Sequence, residues 1–367
     1  MATPGAALIS FRLGGSDGVS VEAAKWGRAL GLLGFDVRTV AGAGPVDHLL
    51  PGLAIDAPDP PTDAEIDDAL KAADLVVVEN LCSLPLNPPA AAGVARVLRD
   101  RRALMHHHDL PWQRERFATW PPPPDDPQWV HVTVNDLSRR QLRQRGIPAT
   151  VVRNTFEPDP PAGDRRRTRD RLGVAPHERL LLQPTRAIAR MNVGGGLALA
   201  AGIGATYWLL GPAEDGYAPE LERLLQTAAV RVVHGHGGDG GHSGDRGDDG
   251  DAGAGGAGID VVDAYAACDA VVLPSTWEGF GNPAVESAVH DRPLAIGTYP
   301  VADELRAFGF RWFDHDDPRA LGAWLDDPEM SMLEHNHEVA RKHFSSRDLP
   351  DRLARVLDRT GGKPGPP

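Results

Sequence analysis

The sequence has 367 residues, enough for two domains at the usual ~150 residues each. Hydrophobic residues make up 41% and charged residues 24%, as in a water-soluble chain with a real core, and a formal net charge of −13 argues against the basic footprint that nucleic-acid binding requires. No apolar run reaches the ~18 residues of a membrane span, the N-terminal MATPGAALISFRLGG lacks a signal peptide's basic region, and two cysteines, Cys82 and Cys268, cannot form a disulfide framework, so the expectation is a cytoplasmic protein in a reducing compartment.

Ala6 to Phe11 (AALISF) predicts a short strand that runs into the glycine-rich loop RLGGSDGVS. A helix follows, because Ala23, Trp26, Leu30 and Leu33 recur at spacings of three and four and share one face. Glu22 and Lys25 fall on its polar side, and Gly34 stands where a helix-ending glycine belongs. Phe35 to Val40 (FDVRTV), LVVVEN (75–80), RALMHHH (102–108) and WVHVTV (129–134) predict further strands. Such apolar strands, alternating with helices, predict a parallel sheet covered on both faces. Glu157 to Asp170 (EPDPPAGDRRRTRD) interrupts the alternation with prolines and charges and reads as a linker; its arginines 165, 166, 167 and 169 form a local basic patch. The alternation then resumes at RLLLQPT (179–185), ATYWLLG (205–211), VRVVHG (230–235), AVVLPS (270–275) and RPLAIG (292–297), a second parallel-sheet unit. Two helical stretches, Glu334 to His343 and Leu349 to Leu357, close the pattern. Residues 235–258 hold no apolar side chain larger than alanine, so they read as a disordered surface insert, and their His236 and His242 lack the preorganisation a metal site needs.

Chemistry concentrates in AVVLPSTWEGFGNPAVESAVHDRPLAIG (270–297). A strand ends near Ser275, and a helix starts near Pro283, a residue suited to a first helical position. Gly279 and Gly281 let backbone amides approach a ligand, and the helix N-terminus offers N–H groups to an anion. Glu278 in the loop and Glu286 on the helix can each accept from hydroxyls. That combination suits a sugar, a diphosphate and a ribose on one molecule.

EGFGNPAVE resembles the glutamate–seven–glutamate signature of family 4 of the retaining glycosyltransferases (glycosyl transferases group 1). Further segments resemble the family in order: RLGGSDGVSVEAAKWGRAL, the first loop and helix; RNTF (153–156), before the second domain; QPTRAIARMN (183–192), the donor-phosphate segment; and YPVADEL (299–305), after the signature helix. The resemblance covers nearly the whole chain outside the glycine-rich insert. It implies the α/β GT-B fold of two facing Rossmann-like domains with parallel sheets: 1–156 on the acceptor side, completed by a C-terminal helix at 345–358 that crosses back, and 157–344 on the donor side. It also implies sugar transfer from a nucleotide-sugar donor to a hydroxyl acceptor with retention and without a metal or other cofactor, the acceptor being a small molecule, glycan or lipid-linked hydroxyl. No nucleic-acid partner is expected, and membrane association is not indicated.

Carried over residue by residue, the resemblance assigns Glu286 to the ribose hydroxyls and Glu278 to the donor sugar. It assigns the backbone of Gly279, Phe280, Gly281 and Asn282 to sugar and phosphate, Arg186 to the diphosphate, and Gly14 and Gly15 to close approach of the first loop. One departure stands out: the family's lysine five residues after the arginine is Met191 here, leaving Arg190 as the neighbouring cation. Losing one preorganised cation at a departing anion costs ~3–4 kcal/mol. In LMHHHDLPWQRERF, the period of an extended segment places His106 and His108 on one face and His107 on the other. The resemblance sets a histidine of this loop against the donor sugar, and His108 with Asp109 is the choice, His107 the next; all three cannot chelate one metal, and a His106/His108 pair has only two ligands in view. Catalysis is thus assigned to Arg186, Glu278, His108 and Asp109. The rival readings are a sugar-nucleotide epimerase or phosphorylase on the same fold, and a nucleotide-sugar-binding protein weakened at Met191.

Overall fold

The computed structural model describes residues 3–15, 17–236 and 259–358. Most of the glycine-rich insert, with His242, lies outside them. The chain divides into two compact units: one takes the described residues up to Thr155 and again from Phe344 onward, the other is Phe156–His343.

The first unit is built on strands β1 (Gly5–Arg12), β2 (Asp36–Ala43), β3 (His48–Leu49), β4 (Leu75–Glu79), β5 (Ala103–His107), β6 (Trp129–Thr133) and β7 (Ala149–Val151). They pair in parallel in the order β3-β2-β1-β4-β5-β6-β7. Alternate residues feed two cores. Leu8, Leu75 and Val77 pack under the helix Gly18–Leu32, while Ile9, Val76 and Val78 pack under the helices Asp63–Leu70 and Pro88–Val97. The C-terminal helix Leu349–Leu357 inserts Leu349, Leu353, Val356 and Leu357 into the first of these cores, beside Trp26 and Leu30.

The second unit carries β8 (Leu180–Gln183), β9 (Thr206–Leu209), β10 (Val232–His234), β11 (Ala270–Leu273), β12 (Leu294–Ile296) and β13 (Phe313–Asp314), all parallel, in the order β10-β9-β8-β11-β12-β13. Both sheets are therefore Rossmann-like, as the strand–helix alternation predicted.

Two expectations need correction. Glu22 does not face solvent: it is fully buried, held by Lys25 at 3.0 Å and by the Thr155 backbone N–H at 3.4 Å. Burial of a carboxylate is tolerable only with such partners. Within the predicted linker, Arg165–Leu172 is a helix capped by Asp164, whose carboxylate accepts from Arg167 N–H. Its basic patch is partly spent inside: Arg169 is buried and donates to the carbonyls of Ala267 and Ala175, and Arg165 and Arg169 both pair with Asp269.

The loop after β1 is fixed by close backbone approach. Gly44 sits at φ +97° with the Leu13 carbonyl 1.9 Å from where a Cβ would be, and Gly14 sits at φ +80° against Pro45. Asp17 then starts the helix Gly18–Leu32 by accepting from the N–H groups of Val19 and Ser20. Asp17→Ala is expected to lower stability by about 1 kcal/mol, read as a shift in denaturant midpoint with unchanged slope.

Candidate functional site

In the second unit, the loops after β8 and β11 meet at the carboxyl edge of the sheet, where open α/β sheets bind ligands. They are stitched through main-chain carbonyls: Thr276 N–H donates to Arg190 O (2.9 Å) and the Asn192 side-chain amide to Pro274 O (3.1 Å), while the Gln183 side-chain amide braces the first loop from within at Met191 O (3.0 Å). Asn192, at φ 50°, caps the helix Val193–Ile203.

This stitching decides where the charges go. Arg190 donates to Trp277 O at 2.7 Å and to the Glu278 carboxylate at 2.9 Å. The other Glu278 oxygen accepts from Ser275 Oγ at 2.9 Å. Met191 is buried, its sulfur 3.3 Å from the same hydroxyl. The position where the family has a lysine thus points into the loop's interior, and the neighbouring arginine neutralises Glu278. Arg186 is held by Glu214 at 2.7 Å, both side chains about a third exposed.

The helix Asn282–Val289 begins at Gly281, whose φ of +84° and a would-be Cβ 2.7 Å from Tyr299 Oη leave room for glycine alone. Phe280 turns its ring into the core against Phe156, centroids 6.1 Å apart. At Glu286, the fully buried Tyr265 donates its hydroxyl at 2.8 Å. Burial, then the Glu286 charge, pushes the Tyr265 phenol well above its ordinary range, so it remains a donor. Tyr265 stacks on His290 at 4.8 Å, and burial followed by the Arg292 charge holds that imidazole down to about 4.

In the first unit the three histidines separate as the extended period requires. His107 runs through a chain on one face: Ser83 Oγ to His107 Nδ1 (2.6 Å), His107 Nε2 to His131 Nδ1 (2.8 Å), His131 Nε2 to Asp125 (3.0 Å). Because the Asp125 carboxylate accepts, each ring donates toward it and Ser83 donates last. Burial lowers the pKa of both imidazoles, consistent with that neutral chain. On the other face, Glu79 Oε2 accepts from His106 Nδ1 (2.8 Å) and His108 Nε2 (2.9 Å), and Trp26 stacks on His106 at 4.0 Å. Register brings this about: Glu79 is the last residue of β4 and lies opposite His106 on β5. Asn80, at φ 58°, accepts from the N–H groups of His108 and Asp109, and Arg114 pairs with Asp109 at 2.6 Å.

Sequence reasoning missed Glu79, Asn80, Glu214, Tyr265 and Ser275. Glu79 had a signal, an acid closing an otherwise apolar strand. Trp112 donates to Gln141 at 2.9 Å beneath the Arg145 guanidinium. Asp314, which opens an aspartate–histidine–aspartate run, pairs with Arg306 at 2.9 Å. Both cysteines are free and buried, with thiols pushed up to about 12. Among the described residues no helix is long and apolar enough to cross a membrane.

No protein-family model matches the chain. It is 25% identical to the mannosylglucosylglycerate synthase of Thermotoga maritima over 96% of this chain and 99% of the relative. The crystal structure of Anabaena HepE in complex with UDP and glucose superposes with a TM-score of 0.67 at 16% identity, covering 96% of this chain and 99% of that one. Sucrose-phosphate synthase from Thermosynechococcus elongatus superposes at 0.69 and 15% identity, over 97% and 98%. The chain is therefore a homologue of mannosylglucosylglycerate synthase, built on the two-sheet GT-B fold of glycosyltransferases.

Proposed function

We propose that this protein transfers a hexosyl group from a nucleoside-diphosphate sugar to a hydroxyl acceptor, with retention of configuration and without a metal ion. The observation that carries the reading is the set of groups at the carboxyl edge of the second sheet. A glycine-entered helix, Glu286 set by Tyr265, Glu278 set by Ser275 and Arg190, and Arg186 on the loop after β8 are all there. Amide dipoles and a guanidinium suit a diphosphate, and two oriented carboxylates suit ribose and sugar hydroxyls.

Glu286 takes the ribose and Glu278 the transferred sugar. Arg186, the amides of Gly279 to Asn282 and the helix N-terminus take the diphosphate. Phase by phase, the protein positions the acceptor oxygen and stabilises the leaving phosphate, whose oxygen receives the acceptor proton in a front-face displacement. The first unit is the acceptor side; His108 and Asp109 are its contacts to the sugar, and Gly14 and Gly15 shape its loop. The relatives' name makes a mannosyl donor and glucosylglycerate the first pair to test.

Thermal shift over nucleoside-diphosphate sugars is the direct experiment. A ligand at a hundred times its Kd stabilises by about 2.7 kcal/mol, and consumption of that donor with acceptor, in chelator, with an α-linked product from an α-linked donor, completes the reading. Stabilisation by no nucleotide sugar overturns it. Buried Met191 favours one second reading, a binding protein with weakened catalysis. Stabilisation without donor consumption would establish that instead.

A further inference from the structure

We propose that Glu79 is a positioning residue that locks the His108 ring, leaving Nδ1 as the one hydrogen-bonding atom of that ring free to donate to an oxygen of the bound sugar. The inference rests on the reading of His108 as a sugar contact and adds the group that sets its orientation and charge.

Glu79 is fully buried at the end of β4, yet no arginine or lysine neutralises it among the described residues; its side-chain partners are the two imidazoles. A carboxylate only accepts, so His106 Nδ1 and His108 Nε2 both carry hydrogen. The two rings differ in what else they have. His106 is sealed under Trp26, and its Nε2 is buried without a partner, so that ring has no second contact to offer. His108 is not sealed: Nδ1 has no hydrogen-bond partner among the described residues and is not buried as His106 Nε2 is, and the backbone beneath it is pinned by Asn80. One buried negative charge balanced by one proton on the more open ring is the arrangement with the smallest desolvation cost.

The charges around His108 agree. Glu79 faces it from β4, Glu22 acts on it from the helix Gly18–Leu32 with Lys25 paired to it, His106 lies on β5 just before it, and Asp109 follows it with Arg114 attached. Burial pulls the His108 pKa down, but the Glu79 hydrogen bond and charge, with Glu22 and Asp109, raise it overall, while burial leaves His106 lowered. Burial raises Glu79, and the two imidazoles then bring it down to about 2. One donor atom from each of Glu79, His106 and His108 lies within 4.8 Å of the others, so a bound metal ion is the rival outcome of the test.

The test is a pH titration of the full-length protein carrying isotopically labelled histidine, followed by NMR, with His108→Gln used to assign the signal. In the native protein, His108 is expected to titrate above the ordinary value of about 6.5. In Glu79→Gln its midpoint falls by about one pH unit or more, and the high-pH limb of kcat moves down with it. A native midpoint at or below 6.5 overturns the proposal without any variant. So does a Glu79→Gln protein that loses thermal stability while its His108 midpoint stays put, the result of a purely structural carboxylate. Stoichiometric binding of Zn²⁺ by the native protein, lost in Glu79→Gln, overturns it in favour of a metal centre. Failure of every sugar nucleotide to turn over would sink the functional reading, and the titration would still decide the role of Glu79.

Discussion

Replacing Arg186 with glutamine is expected to lower kcat/KM for the nucleoside-diphosphate sugar by roughly 10²- to 10³-fold, with little change in thermal stability. Among the described residues the side chain pairs with one carboxylate, Glu214, and both groups are about a third exposed; an ion pair in that position contributes less than about 1 kcal/mol to folding. Its value must lie in what it does for a ligand. Arg190 is engaged by Trp277 O and Glu278, and Met191 offers no charge. On the proposed reading, one guanidinium serves where a two-cation site has a reserve. If Arg186 holds the diphosphate as proposed, Glu214 competes for it, so Glu214→Gln should move donor KM the opposite way, downward by a few-fold. Steady-state kinetics on the two variants checks both signs. An Arg186→Gln enzyme within threefold of the parent would remove Arg186 from the phosphate site.

The second large effect falls on stability. Trp26→Ala is expected to destabilise the first unit by about 3–5 kcal/mol, read from denaturant unfolding. Trp26 is fully buried in the core shared with Leu30, Leu353 and Leu357, and its indole lies flat on His106. Truncation opens a cavity beneath the imidazole that Glu79 holds. Trp26→Phe keeps an aromatic face there and should recover more than half of the loss. A change below about 1 kcal/mol in Trp26→Ala would mean that neighbouring side chains collapse into the gap.

The apolar strands were legible because burial on both faces leaves few alternatives to a run such as LVVVE or AVVL. Helix starts were legible where local chemistry sets them, as at Asp17 and at the glycines before Pro283. What failed were side chains whose place depends on a partner far along the chain. Glu22 looks solvent-facing by period, and its burial rests on Lys25 one turn on together with the Thr155 amide, 133 residues away. Arg165 and Arg169 read as surface charge until Asp269 and the carbonyls before it are placed beside them. The separation of His106 and His108 from His107 was readable, since it follows from strand geometry alone. Glu79 stood out as an acid ending an apolar strand, but its pairing with those rings was not readable, since it follows from the register between neighbouring strands.

The division of the chain bears on how it is made. Phe156–His343 is contiguous, whereas the first unit lacks Leu349, Leu353, Val356 and Leu357 until everything between has been translated. On the ribosome, the N-terminal segment waits with the apolar groove beside Trp26 uncovered while the middle segment can already close its own core. Chaperone demand during synthesis should therefore concentrate on the earliest residues, and swapping of the last helix between nascent neighbours is the misassembly this connectivity invites.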